Sequence, residues 1–349
     1  MELLEMVLYM GNLLATTPTK PPGKIYPSVV LTFFVVNVAA ATIFKKSDYM
    51  SMIHVKFVIA VLMDSTLFFF NLIVIIIPAF WKRKEWYKLV KILTILRSLQ
   101  DKKSSPVYFI IIQIIFWAIT LYDTYAWTMI MEFEFLKQYG VEILQSFLLF
   151  HHQCLLHVAI NIVLEGYKDV ITKFYTIELL NKESAKLIKH KLGLLQVCVR
   201  LFSEVFGWPF LLIIVYTSFQ MLNYFDDSFE NGFLYDENEY DEVIISNVCF
   251  LIITVGYTVF LIWLWDSVLA EVDKVQHFCR NVSDELQTNY FVIISNDIVN
   301  NCPKSSVADF FYVDRALIFN MFSVTFTFLI VMIQFKERPN LSSYEYLNQ

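Results

Sequence analysis

The stretch Ala316–Phe335, ALIFNMFSVTFTFLIVMIQF, decides the fold. Its twenty residues carry no charge, and about twenty apolar residues make a helix that crosses the ~30 Å hydrocarbon layer of a bilayer. Its polar residues are confined. At about 100° per residue, Asn320, Ser323, Thr327 and Gln334 fall within a wedge of roughly 60°. Val331 adjoins that wedge, and Arg338 lies on it just past the end. The other sides are mainly Leu, Ile, Met and Phe. A single polar seam needs something polar to face, because lipid satisfies no hydrogen bonds. Two arrangements meet the need. The seam packs against other helices of its own subunit, with Ser, Thr and Asn bonding between helices, or several copies surround an axis and their seams enclose water. Spacing alone leaves both open.

The remainder of the chain is equally apolar. Of 349 residues 57% are hydrophobic and 17% charged, against about 25% charged in soluble domains. Such a chain folded in water would expose far too much apolar surface. The reading is an all-α polytopic membrane protein. Spans fall at about 26–44, 54–80, 106–131, 142–164, 196–222, 243–266 and 314–335. Residues 1–19 read as a short amphipathic helix broken by Lys20-Pro21-Pro22-Gly23. Leu89, Leu93, Leu96 and Leu99 recur at helical spacing, so the second span is expected to continue as an amphipathic extension through 81–105. A second charged extension occupies 165–192, and 267–312 holds apolar patches too short to span.

Seven spans put the termini on opposite sides. With residues 1–25 inside, the inner segments carry 19 Lys and Arg and the outer ones 5. The outer segment 223–242 has eight acids and no base. The positive-inside bias therefore places the N-terminus in the cytoplasm and the tail, 336–349, outside. Asn340 then lies in an outer glycosylation triplet and Asn281 in an inner, silent one. No basic n-region marks the start as a signal peptide. Cys154, Cys198, Cys249, Cys279 and Cys302 offer no pair on an outer loop, so no disulfide is expected. His151, His152 and His157 have no Cys or carboxylate at ligand spacing, so no metal site is expected. No phosphate-binding loop or nucleophile elbow occurs, which argues against enzymatic activity, a cofactor or a nucleic-acid partner.

Acids at membrane depth are costly and are usually paired or functional. Asp64 and Asp123 are therefore candidate ligand groups, although a bond to a neighbouring helix or a proton would also accommodate them. Tyr122, Tyr125, Trp127, Phe150, Tyr216, Gln220 and Asn247 supply aromatic and hydrogen-bonding groups at similar depth. Each taken singly fits a packing role equally well.

The end of the chain resembles the insect gustatory receptor family. That family closes on Thr-Tyr, five hydrophobic residues and Gln-Phe; here Thr327-Phe328 precedes Leu329–Ile333, Gln334 and Phe335. Phe310–Leu317 resembles the family's lead-in to the last span, with Asp309 where Gly is usual. The resemblance implies the insect chemoreceptor fold and a homotetramer with a central pore, mixed tetramers with other gustatory receptors being the alternative. It implies a non-selective cation channel in the plasma membrane of sensory neurons, opened by a small-molecule tastant and surrounded by membrane lipid. Residues 313–335 would line the pore, with Gln334 and Phe335 at the constriction and Asn320, Ser323, Thr327 and Val331 along it. The segment 267–312 and the two extensions would form a cytoplasmic anchor, and the ligand pocket would sit in the outer half of 26–266. Leu329 stands where the main sugar branch carries Glu, which leans the reading toward bitter or plant-metabolite tastants. A fructose-type receptor and an odorant receptor subunit are the alternatives.

Overall fold

The computed structural model describes residues 2–18, 25–52, 54–100, 107–176, 182–234, 241–286, 306–307, 311–312 and 314–336. The helices are α1 (Leu3–Leu13), α2 (Ile25–Phe44), α3 (Lys46–Ser51), α4 (His54–Ile76), α5 (Arg83–Ser98), α6 (Val107–Met131), α7 (Phe133–Thr176), α8 (Lys182–Leu234), α9 (Asp241–Leu286) and α10 (Arg315–Lys336). Seven of them, α2, α4 and α6 to α10, are long and apolar enough to span a membrane. One antiparallel pair, β1 (Ser306–Val307) with β2 (Phe311–Tyr312), precedes α10. The chain is a multi-pass membrane protein.

Helix α7 is the central post. Its apolar window is 94% buried, against 17% for α2 and 22% for α6 and α10, so those three lie at the periphery. It touches α1, α2, α4, α5, α6, α8 and α9. At ~1.5 Å per residue its 44 residues run about 66 Å, roughly twice the hydrocarbon thickness. Helices α8 and α9, of 53 and 46 residues, overrun the bilayer in the same way. The charged extension after the fourth span is thus continuous helix to Thr176.

The 81–105 extension differs from the sequence expectation: it is a separate helix. A π turn at Ile77–Trp81 holds Pro78, which has no N–H to give, and the backbone breaks at Lys82 before α5 begins. Trp86, Leu89, Ile92, Leu93 and Leu96 are buried, and α5 packs on α8. Lys82 Nζ donates to the Glu204 carbonyl of α8 at 2.8 Å.

The N-terminal helix is drawn into the bundle rather than left on its surface. Leu3, Leu4, Val7, Leu8 and Gly11 are buried. The chain then reverses at Ala15, whose φ of 58° is left-handed, and Thr17 Oγ1 donates to the Leu8 carbonyl at 2.7 Å. Trp86 Nε1 donates to the Pro18 carbonyl at 3.0 Å, fastening this turn to α5.

Candidate functional site

Among the described residues, a cavity and the seam of α10 hold most of the polar residues selected from the sequence. The cavity, about 280 Å³, lies at the bundle end where α2, α6 and α8 finish and α4, α7 and α9 begin. Its size falls just under the roughly 300–1,000 Å³ usual for drug-sized ligands. Helix periodicity selects the lining. Ala60, Met63 and Asp64 come from α4, Thr120, Asp123 and Trp127 from α6, and Phe135, Tyr139, Glu142, Ile143 and Ser146 from α7. Helix α8 gives Tyr216, Gln220, Asn223 and Tyr224, and α9 gives Asn247 and Phe250.

A charge network closes one side. Lys45, only 7% exposed, donates to Asp64 at 3.0 Å and to Glu142 at 2.6 Å. It also lies 4.4 Å from the Tyr139 ring centroid. Burial alone would lower the pKa of the Lys45 ammonium, but Glu142 and Asp64 outweigh it and hold the pKa above its ordinary value. The Tyr49 hydroxyl donates to Asp64, and burial beside that carboxylate raises the Tyr49 pKa. On the other side, the Ser246 hydroxyl donates to Asp123. Two buried acceptors in the lining, Gln220 Oε1 and Asn247 Oδ1, have no partner among the described residues.

Six of the sequence-selected ligand residues therefore meet in one cavity: Asp64, Asp123, Trp127, Tyr216, Gln220 and Asn247. Three do not line it. Tyr122 and Tyr125 leave α6 on other faces, Tyr125 being 51% exposed. Phe150 lies one turn beyond Ser146 in the core, stacked on Phe116 at 4.2 Å. Asp64 and Asp123 each bond a neighbouring element and also line the cavity. Lys45 and Glu142 were not singled out, because each stands at a span end and reads as a loop charge. The signal that finds them is the cost of Asp64 itself, which calls for a cation at the same depth.

The second feature is α10. It is seated on the protomer by one narrow stripe, Met321, Thr325, Leu329 and Met332, all buried. Thr325 Oγ1 turns back to the Met321 carbonyl at 2.8 Å. Asn320, Ser323, Thr327, Val331 and Gln334 are all exposed on the protomer, and Thr327 Oγ1 donates to the Ser323 carbonyl at 2.8 Å. Within one subunit the seam is thus not buried against neighbouring helices. The side chain of Phe335 and the whole of Asn340 lie outside the described residues. At the foot of α10, Arg315 pairs with Asp266 of α9 at 2.6 Å.

One layer of side chains separates the cavity from the buried stripe of α10, and the seam lies on the exposed side of that helix. Leu329 and Met332 of α10 form a buried cluster with Ile59 of α4 and Leu222 of α8, flanked by Phe219 and Phe225. The Phe225 ring stacks on Phe326 at 6.2 Å. At about 100° per residue, Tyr216, Gln220, Asn223 and Tyr224 occupy one face of α8, toward the cavity, and Leu222 and Phe225 the opposite one.

A long polytopic bundle with these two features is what a membrane receptor needs, and sequence comparison agrees. The family model described as 7tm Chemosensory receptor matches residues 4–338. The chain belongs to the 7tm chemosensory receptor family. No curated protein matches it. The receptor's seven spans and its closing motif accord with the gustatory resemblance, and its role is that of a chemoreceptor.

Proposed function

We propose that the receptor is a gustatory receptor acting as a tetrameric, non-selective cation channel, opened by a small organic tastant bound in the cavity. The observation that carries this reading is the outward seam. Asn320, Ser323, Thr327 and Gln334 are exposed along a helix whose described buried residues all lie on another stripe. Facing lipid, the Asn320 and Gln334 amides would go unsatisfied, whereas the Thr327 hydroxyl bonds back to its own helix. Fourfold closure gives all four seams a shared aqueous axis.

In this reading Gln334 and Phe335 form the constriction and Val331 lines the pore beside them. The cavity lies in the outer half of the bilayer, with the N-terminus in the cytoplasm. The bitter or plant-metabolite class is favoured over the main sugar branch, because Leu329 holds the position of the sugar-branch Glu and is buried against α4 and α8.

Whole-cell recording tests the proposal. In cells expressing this chain alone, tastant application evokes a prompt cation current that G-protein blockade leaves intact. In a Thr327→Cys variant, a water-soluble thiol reagent blocks that current. A response that needs G protein, or a Thr327→Cys channel indifferent to the reagent in both closed and open states, overturns it.

A further inference from the structure

The cavity's chemistry is asymmetric. Three carboxylates line it, Asp64, Asp123 and Glu142, against two ammonium groups, Lys45 and Lys56. Lys45 is engaged by Asp64 and Glu142 together. Asp123 accepts a bond from the Ser246 hydroxyl and meets no cation among the described residues. The cavity thus carries a formal excess of negative charge, with Asp123 outside the ion pairs of Lys45.

Its unpartnered polar atoms have the same sense. Gln220 is 2% exposed and Asn247 3%, and the side-chain oxygen of each faces no donor among the described residues. A buried acceptor left without a donor is costly, so the site calls for a donor-rich guest. The walls add a third argument. Trp127 stacks on Phe135 at 6.2 Å and Phe135 on Tyr139 at 5.2 Å. Ring faces attract cations, and Lys45 already stands over the last of these rings.

Resting on the reading of the cavity as the ligand site, we propose that its occupant is a small protonated amine, held by Asp123 with the side-chain oxygens of Gln220 and Asn247. An ammonium brings three donors and a charge, and so answers all three observations at once. A polyol supplies donors without the charge. A carboxylate supplies neither and is repelled by the acids.

The test uses probes matched in body and different in head. These are 2-phenylethylamine, 2-phenylethanol and 3-phenylpropionate, with tryptamine, tryptophol and indole-3-propionate as a second set. Binding to the purified full-length receptor is measured by ligand-induced thermal stabilisation, and current is recorded in parallel. At least one amine binds about tenfold or more tighter than its alcohol, since a charged partner strengthens a buried hydrogen bond by that order, and the carboxylates do not bind. Asp123→Asn removes the preference while alcohol binding is kept, and Asn247→Ala weakens the amine severalfold. The proposal falls if no amine binds, if alcohols bind as well as amines, or if both variants keep the amine preference. Amine binding without current would spare this inference and remove the channel; alcohol-evoked current without amine preference would do the reverse.

Discussion

Replacing Lys45 by Met probes the cavity wall most directly. The ammonium is almost fully buried and bridges Asp64 and Glu142 at 3.0 and 2.6 Å. Methionine fills a similar volume and keeps the apolar stem. What changes is that two carboxylates lose their shared cation and face each other. Removing one partner of a buried ion pair costs about 3–5 kcal/mol. The Asp64 and Glu142 side chains retain 27% and 20% exposure, so water offsets part of this and the lower end, about 3 kcal/mol, is expected. For a chain this long that corresponds to a fall of roughly 5–10 °C in melting temperature. Heating detergent-solubilised receptor and following the monodisperse fraction by size-exclusion chromatography reads the shift. Lys45→Met/Glu142→Gln removes one of the stranded charges and should recover at least ~1 kcal/mol of the loss, a coupling that a double-mutant cycle isolates. A Lys45→Met receptor that melts within a degree of the parent, or a double variant that merely adds the two single losses, would refute the account of a buried charge network.

Three further outcomes follow from the packing and the charge bias. Gly11→Ala drives a Cβ into Thr17 Oγ1 and places it 3.0 Å from His151 Nε2. Thr17 is fixed by its bond to Leu8, so α1 must shift; a loss of about 1–3 kcal/mol and faster proteolysis of the N-terminal segment are expected, and unchanged protease resistance would contradict the seating of α1. Phe225→Leu loses an aromatic stack on Phe326 worth about 1 kcal/mol but leaves the cavity lining intact; in the proposed channel the unliganded current should change, with dose–response and binding curves moving together through the shifted equilibrium, and an unchanged basal current would deny that the α8–α10 contact bears on gating. Glycosidase treatment should alter gel mobility only through Asn340, if that triplet is used, and a glycan on Asn281 would invert the proposed topology.

The spans were legible because their signal is one-dimensional. A run of about twenty apolar residues announces itself without any knowledge of its neighbours, and the first, third and seventh spans match Ile25–Phe44, Val107–Met131 and Arg315–Lys336 almost to the residue. The seam of α10 was legible for the same reason, being a property of one helix. The charge network was not. Lys45 and Glu142 are 97 residues apart, and which span ends meet is set by bundle topology, which local pattern does not encode. Tyr122 and Tyr125 show the converse: close in sequence to Asp123 on α6, they lie off the face that carries Thr120, Asp123 and Trp127. The break before α5 was hidden because the period of Leu89, Leu93 and Leu96 fits a helix that continues the second span as well as one that starts afresh after the π turn at Ile77–Trp81.

In the proposed channel, one layer of side chains joins the cavity to α10, so gating needs no long chain of events. Moving a closed-to-open ratio from 1:99 to 99:1 requires about 5.5 kcal/mol of differential binding. Hydrogen bonds to charged groups contribute about 1.5–3 kcal/mol each, so two or three bonds made in the open state alone would suffice, and Asp123, Gln220 and Asn247 offer that many acceptors. Helix α8 carries Gln220 on the cavity face and Leu222 on the face toward α10. A helix with its side chains is about 10–12 Å across, so turning α8 by ~20° to close Gln220 on a guest would displace Leu222 by about 2 Å. That displacement meets α10 on the one stripe, Met321 to Met332, by which the protomer holds it. The seam side of α10 is exposed on its own subunit, with the Phe326–Phe225 stack beside the stripe and the Arg315–Asp266 pair at the foot, so in the proposed channel a rotation that exchanges the apolar Val331 for the amide of Gln334 works against few protomer contacts.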